Sequence, residues 1–360
     1  MIRFHRQFVS CPVAFLMLLA ALLLPARLQA QAPACTLESK DPAVCVNPGK
    51  EYLGGLGVPK FDLTPGGRSI GMGRAGASLI VDPALVRLNP AALARLKMFS
   101  IGGGYQRNAD GSDQYNIGVI DSVTTELAAG LYYSMESDAG FGFMGKDIRP
   151  PRYSYLSLGI ADGYPLFGIP LYAGAAVNWL RTDIPIEGGS DHVVDATFSA
   201  HMDPLPNLWN LSAALVGRNL IGTDKERLAR NVEITGSIAP LEWLRGAGGV
   251  ITDLTRSSDL DAGFLVGIEA EPVKELLLRG GVLREPAIRD FLMTMGAGFE
   301  NPNVSIVFAY QRNLRREANQ FTIEFTYRDF GQGGSSGGNY PPNQGPRITD
   351  PPRFVPPGGK

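Results

Sequence analysis

The amino-acid sequence predicts an all-β fold, a transmembrane antiparallel β-barrel of about 14 strands with a short N-terminal helical segment ahead of it. Three features of the chain support this prediction. A secretory signal stands at its start, segments with period-two alternation fill residues 98–330, and short and long connections alternate between those segments. Together they predict an exported protein of the bacterial outer membrane.

Residues 1–30 have the layout of a cleaved secretory signal. Arg3, His5 and Arg6 supply positive charge, residues 13–24 form an apolar run, and Ala30 offers a small residue at the cleavage point. The apolar run is shorter than the ~20 residues that a membrane-spanning helix needs. We therefore expect this segment to be removed rather than to remain as an anchor.

Residues 31–60 form an N-terminal periplasmic segment that contains Cys35 and Cys45. An even number of cysteines in an oxidising compartment predicts a disulfide between these two. Two free thiols or two metal ligands are the alternatives, but no histidine lies nearby to complete a zinc site. The segment therefore predicts a local disulfide and no metal.

Residues 98–330 divide into segments of about ten residues, the length that a membrane-spanning strand needs. In the clearest of them, Phe321, Ile323, Phe325 and Tyr327 alternate with polar residues. A soluble β-sandwich would have strands nearer ~6 residues. We therefore predict fourteen spanning strands, which start near residues 98, 113, 125, 152, 169, 192, 209, 230, 244, 261, 274, 291, 303 and 319.

The connections between these strands alternate in length. Short turns such as 203–206 and 301–303 alternate with longer polar loops such as 137–151 and 218–229, while 162–168 is too long for the pattern. Tight turns at one rim and longer loops at the other are typical of outer-membrane barrels with an even strand number. Both chain ends then lie on the periplasmic side, where residues 331–360, rich in Gly and Pro, are predicted to be a disordered tail.

The charges and the candidate catalytic patterns exclude several classes of function. Lys+Arg number 33 and Asp+Glu 35, so no overall positive charge favours nucleic acid. Residues 71–76 match a dinucleotide fingerprint and residues 67–71 match a hydrolase nucleophile elbow, but neither stands in the α/β context that its chemistry requires. We therefore predict no catalytic residue, no cofactor and no enzymatic activity.

Residues 61–97 carry the most specific motif of the chain. Asp82 before Pro83 predicts the start of a short helix. Asn89 before Pro90 predicts a break in that helix, because the residue before proline is disfavoured in the helical region. The motif residues are Gly71, Met72, Gly73, Ala75, Asp82, Asn89, Pro90 and Ala91.

This motif resembles the "MGgAgvAladDpsAlyxNPAgLA" signature of the FadL-type outer-membrane transporters of hydrophobic compounds and of their PorV-type relatives. Residues 267–269 and 278–281 resemble a strand pair of the PorV-type members. The resemblance covers residues 61–330 and departs from the signature at Arg74 and Ala92. It implies a fourteen-stranded barrel with residues 61–97 folded into its mouth or lumen as a hatch, or plug, segment.

The resemblance implies two alternative functions. The first is passage of a small hydrophobic compound between hatch and wall, and the second is a PorV-like scaffold or carrier for secreted or envelope proteins. The partners would be outer-membrane lipid together with a hydrophobic small molecule or a protein. An apolar path needs apolar lining, for which the candidates are Met72, Leu85, Leu88 and Leu93.

The alternation also places charged residues inside the predicted barrel. A satisfied polar network that fills the lumen and a path for a substrate are the two interpretations, and we favour the network. Its predicted members are Arg74 and Arg87 of the hatch with Glu126, Asp195, Glu233, Glu269, Arg279, Glu300, Glu324 and Arg328, and Arg95 is a third hatch arginine expected to pair with one of these acids.

Overall fold

The computed structural model describes residues 66–79, 81–95, 97–108, 112–137, 141–143, 146–148, 152–166, 169–184, 189–205, 208–221, 230–254, 261–285, 290–314 and 319–330. The predicted signal peptide, the segment with Cys35 and Cys45, and the tail 331–360 lie outside the described residues. Across the described ranges, no helix is long and apolar enough to cross a membrane. The same ranges contain no cluster of residues suited to hold a metal ion.

Fourteen antiparallel strands form one closed barrel, and two further short strands pair with each other. The barrel strands are β1 (Phe99–Arg107), β2 (Asp113–Asp121), β3 (Ala128–Ser137), β6 (Arg152–Leu166), β7 (Ile169–Ile184), β8 (Gly189–Leu205), β9 (Leu211–Arg218), β10 (Asn231–Leu241), β11 (Leu244–Asp253), β12 (Asp261–Val273), β13 (Leu276–Glu285), β14 (Asp290–Glu300), β15 (Val304–Asn313) and β16 (Asn319–Asp329). The separate pair is β4 (Phe141–Phe143) and β5 (Lys146–Ile148). The predicted fourteen-stranded antiparallel barrel is confirmed.

The first and last strands of the barrel close it by pairing with each other. Phe99 of β1 lies opposite Asp329 of β16 on one side and opposite Asp121 of β2 on the other. Closure pairs the backbone groups of both edge strands. A sheet within a bilayer must close in this way, since no water is present to satisfy an open edge.

The two faces of the strands differ in polarity, as the alternation predicts. On β12, Phe264, Val266 and Ile268 are 38%, 54% and 52% exposed, whereas Leu265 and Glu269 are each 1% exposed. The exposed face points outward and is apolar, as contact with the acyl chains of a bilayer requires. The buried face carries mixed chemistry because it contacts the hatch.

The prediction that Glu126 lies in the lumen is wrong. Glu126 does not point into the barrel, because β3 begins at Ala128 rather than near residue 125. Glu126 instead lies exposed in the bend of residues 123–127, where its carbonyl oxygen accepts a hydrogen bond from Lys97 Nζ at 3.4 Å.

The connection of residues 162–168, which broke the predicted length pattern, is mostly strand. Pairing between β6 and β7 continues from Asp162 opposite Ala173 to Leu166 opposite Ile169. Only residues 167 and 168 separate the two strands. The turn-forming residues of this stretch led us to predict a long connection. The prediction was wrong because cross-strand pairing overrides local propensity at the end of a long hairpin.

The outward face gives a depth-dependent prediction on β12. Val266→Arg in mid-strand is expected to cost about 2–4 kcal/mol of folding free energy in a bilayer, since it places a cation among acyl chains. Val273→Arg, at the strand end, is the matched control and is expected to cost about 0–1 kcal/mol. Both valines are exposed, at 54% and 63%. Urea titration of the protein folded into phosphatidylcholine vesicles measures both values, and similar costs would contradict the placement of β12.

Candidate functional site

The hatch consists of short helical pieces joined by tight breaks. They are α1 (Gly67–Gly71), a 3₁₀ turn at Ala75–Ser78, α2 (Leu85–Leu88) and a second 3₁₀ turn at Pro90–Ala94. Gly73 and Arg74 both adopt a φ of 61° between α1 and the first turn. Asn89 is extended, with a φ of −157°, so the chain breaks before Pro90 as predicted.

Asp82 stabilises the entry to α2, although the helix begins three residues later, at Leu85. Its Oδ1 accepts the Ala84 amide hydrogen at 2.9 Å. Burial raises the pKa of the Asp82 carboxyl above its ordinary value, against the opposing influence of this amide and of the Arg68 guanidinium. Asp82 thus stabilises the start of the helix, as predicted, but it does so from three residues before the first helical residue, Leu85.

The hatch lies inside the barrel and crosses the lumen from wall to wall. Helix α1 contacts β13 to β16, and the first 3₁₀ turn contacts β9 to β12. Helix α2 contacts β3, β6 and β7, and the second turn adds β8. Pro83 lies against Gly102 of β1 and Gly118 of β2. The hatch therefore meets all fourteen strands of the wall.

Glycines of the wall allow the hatch backbone to approach closely. A Cβ on Gly174 of β7 would fall within the backbone of Pro90 and Ala91. A Cβ on Gly267 of β12 would fall within the backbone of Met72. Only glycine leaves room for such backbone-to-backbone contact.

The first half of the hatch is held by a buried ionic cluster, which we call the Arg68 cluster. Arg68 of α1 donates to Glu269 at 2.7 Å and lies 3.7 Å from Glu300. Glu269 also accepts from Arg279 at 2.7 Å and from Arg245 at 2.8 Å. The guanidiniums and carboxylates compensate one another, which is the condition for burying charge without a large penalty.

The same cluster continues onto β14 and β16. Arg328 donates to Glu300 at 2.7 Å, and Arg279 reaches Glu300 at 3.4 Å. Glu324 accepts the Gly67 amide hydrogen at 2.5 Å. The structure thus brings together five residues of the predicted lumen network, which are Glu269, Arg279, Glu300, Glu324 and Arg328. Sequence reasoning missed Arg68 and Arg245 as their partners.

The second half of the hatch is held by a different set of contacts on β7 and β8. Arg95 pairs with Asp203 at 2.9 Å, and Tyr172 donates to the same carboxylate at 2.8 Å. Asn89 Nδ2 lies 3.3 Å from His201 Nδ1. The Ala91 amide donates to Ser199 Oγ at 2.8 Å. The sequence analysis did not predict these wall residues as hatch contacts. Alternation shows that a side chain points inward, but it does not show which hatch residue that side chain meets.

The remaining predicted lumen residues are buried at separate places. Arg218, another residue missed from the sequence, donates to Glu233 at 2.7 Å and to the Leu88 carbonyl at 3.0 Å. Asp195 accepts the Ile221 amide at 3.0 Å. Arg87 lies over the ring of Tyr155, 4.3 Å from its centroid, and Arg74 is 7% exposed.

The four candidate lining residues are buried in two apolar clusters between hatch and wall. Met72 packs with Ala75, Leu79, Leu265 and Leu283. The other cluster, which we call the α2 cluster, joins hatch residues to β2, β3 and β6. It contains Ala84, Leu85, Val86, Leu88, Ala92, Leu93, Met98, Ile120, Ala128, Tyr132 and Ala161.

These features define a class of protein, a closed fourteen-stranded barrel whose lumen holds a hatch built from short helices. The structure is similar to that of the Ralstonia pickettii toluene transporter TbuX, with a TM-score of 0.51 and 13% identity over 73% of this chain and 97% of that chain. It is also similar to the Pseudomonas putida toluene transporter TodX, with a TM-score of 0.51 and 11% identity over 73% and 97% of the two chains.

A Pseudomonas aeruginosa FadL homologue has the same fold, with a TM-score of 0.50 and 13% identity over 74% of this chain and 99% of that chain. No protein-family model and no curated protein sequence matches the chain. At these identities the likeness shows a shared fold. It confirms, at the level of fold, the resemblance to FadL-type barrels that the hatch motif predicts.

Proposed function

We propose that this protein is a non-enzymatic channel of the bacterial outer membrane that passes small hydrophobic compounds between a movable hatch and the barrel wall. The observation that carries the proposal is the α2 cluster. It is an apolar contact between hatch and wall, held together without covalent bonds, and it lies in a barrel whose fold is shared with toluene transporters.

An apolar contact can open for a hydrophobic ligand more easily than an ionic one. When Leu85, Val86 and Leu93 separate from Ile120 and Tyr132, a small hydrophobic compound replaces the lost apolar contacts. Such a compound cannot replace the ion pairs of the Arg68 cluster. A ligand shifts a conformational equilibrium only by its differential affinity for the two states. The α2 cluster is therefore where we place the solute path.

A disulfide across the α2 cluster tests this path. An ideal Cβ on Gly130 of β3 lies 2.5 Å from Val86 Cγ2, so Val86→Cys with Gly130→Cys brings two thiols within bonding reach. The background carries Cys35→Ser and Cys45→Ser. The measurement is uptake of radiolabelled toluene by cells whose outer membrane carries the variant. We expect the oxidised double variant to lose most uptake and dithiothreitol to restore it.

The controls are the two single cysteine variants and an assay of the amount of folded barrel. Each single cysteine variant should transport in both redox states, and heat-modifiable electrophoretic mobility should show equal amounts of folded barrel. Equal uptake by oxidised and reduced protein would contradict the path. Uptake no greater than in cells without the protein, with an envelope protein co-purifying at equal stoichiometry, would favour the PorV-like carrier instead.

A further inference from the structure

The outward face of the barrel carries a repeated pair of side chains at the rim where the longer loops lie, which we call the long-loop rim. On three strands an outward aromatic residue is followed two positions later by an outward arginine near the strand end. The sequence Tyr-Gln-Arg ends at Arg107 on β1 and recurs on β15, where it ends at Arg312, and Trp-Leu-Arg ends at Arg181 on β7. The middle residue of each triplet is buried, so the outer two share the outward face.

Two of these triplets belong to one continuous patch across β15, β16, β1 and β2. Phe321 of β16 lies opposite Tyr310 on one side and opposite Arg107 on the other. Tyr105 packs against Tyr115 of β2, with ring centroids 5.5 Å apart. Phe321 and Tyr115 are 42% and 45% exposed. The patch therefore places guanidinium groups beside exposed aromatic rings.

We propose that this patch, formed by Tyr105, Arg107, Tyr115, Tyr310, Arg312 and Phe321, binds the phosphate groups of a phosphorylated lipid headgroup in the leaflet on the long-loop side. The placement in that leaflet rests on the proposed outer-membrane location and on no property of the solute path.

The depth of the side chains fits such a lipid. Aromatic rings on the outer face of a barrel mark the boundary between acyl chains and headgroups. Each arginine lies two residues beyond its aromatic partner, roughly 7 Å further along the strand towards the loops. That distance carries the guanidinium from the aromatic girdle to headgroup depth. Arginine presents several N–H donors that match phosphate oxygens, and it stacks on aromatic rings.

The charge of the patch also fits a phosphate. Arg107 donates to the half-buried Asp113 at 2.6 Å while its own side chain remains 52% exposed, so this carboxylate uses only part of the guanidinium's donor set. Arg312 is exposed at the end of β15. At the opposite rim of this wall, Asp121 and Asp329 flank Phe99, and the exposed Lys97 lies two residues before it. Guanidinium groups thus stand beside aromatic rings at the long-loop rim, and this arrangement fits a phosphorylated headgroup on that side.

Native mass spectrometry of the refolded full chain in dodecylmaltoside tests the proposal, with diphosphoryl lipid A as the probe and its fully dephosphorylated form for comparison. We expect wild-type protein to bind the phosphorylated lipid at least tenfold more tightly than the dephosphorylated one. Arg107→Gln with Arg312→Gln should remove at least tenfold of that affinity. The matched control is Lys97→Gln with Lys274→Gln, which removes two cations at the other rim and should leave binding unchanged.

Equal binding of the two lipids by wild-type protein, or equal losses in the two double variants, would overturn the proposal. A second readout covers the case in which the arginine variant folds poorly. In that case 1 M NaCl should release the phosphorylated lipid from wild-type protein, and retention in salt would count against it. Toluene uptake does not enter this experiment, so its failure leaves the proposed channel untouched, and the reverse also holds.

Discussion

Gly281→Val is expected to displace the hatch from the wall and to make the barrel more permeable to small solutes. A Cβ on Gly281 would fall 2.6 Å from the Met72 carbonyl carbon and 2.7 Å from the Gly73 Cα. Both atoms belong to backbone, which cannot rotate away as a side chain can. Overpacking of this kind costs typically about 1–3 kcal/mol.

The displaced segment also loses specific bonds, because the Gly73 amide donates to Thr294 Oγ1 at 2.9 Å and Thr294 Oγ1 donates to the Gly71 carbonyl at 3.2 Å. We therefore expect a lower urea midpoint in detergent micelles. Liposomes that contain the variant should swell faster in a neutral sugar such as arabinose.

Gly280 supplies the matched control for this experiment. It is the preceding residue of β13 and faces outward, where a Cβ would meet only the Thr294 carbonyl oxygen at 4.0 Å. Gly280→Val should leave both swelling and the urea midpoint close to wild type, because valine suits a strand and meets open space. If both valines caused the same leak, the leak would come from strand disruption and not from hatch contact.

Glu269→Gln is expected to destabilise the folded protein by about 3–5 kcal/mol, the cost of breaking a buried ion pair by removing one partner. Glu269 is 1% exposed and accepts from Arg68, Arg245 and Arg279. Glutamine has nearly the same shape but carries no charge, so three guanidiniums lose their shared counter-ion. Urea titration followed by heat-modifiable mobility measures the loss.

Asp183→Asn is the control for Glu269→Gln. Asp183 also pairs with an arginine, Arg181, but the two side chains are 37% and 46% exposed. Exposed pairs contribute typically about 0–1 kcal/mol, because water and salt screen them. A loss at Glu269 as small as that at Asp183 would show that water reaches the Arg68 cluster and that the cluster does not hold the hatch.

Strand positions followed closely from the sequence. The largest differences between predicted and observed strand starts are three residues, at β3 (125 against Ala128) and at β8 (192 against Gly189). Period-two alternation is a property of a single strand, so a strand can be recognised from it without knowing which strand it pairs with. The error at β3 placed Glu126 in the lumen, because a shift of that size moves a residue from a strand into a turn.

The motif and the resemblance that it carries predicted a hatch folded into the barrel, but they did not predict which strands the hatch meets. Asp82, Asn89 and Pro90 have recognisable roles in starting and breaking short helices. Nothing in those residues specifies which strands they meet. The glycines that admit the hatch, such as Gly174 and Gly267, are distinguished from other strand glycines only by what lies opposite them.

The sequence by itself determined the barrel and the two faces of its strands, because both depend on short-range periodicity. Only the tertiary structure decided that Arg68 pairs with Glu269, Arg95 with Asp203 and Arg218 with Glu233. The physical reason is that partner choice depends on where the hatch crosses the closed barrel. Arg68 and Glu269 are 201 residues apart in the chain, and no local pattern carries that information.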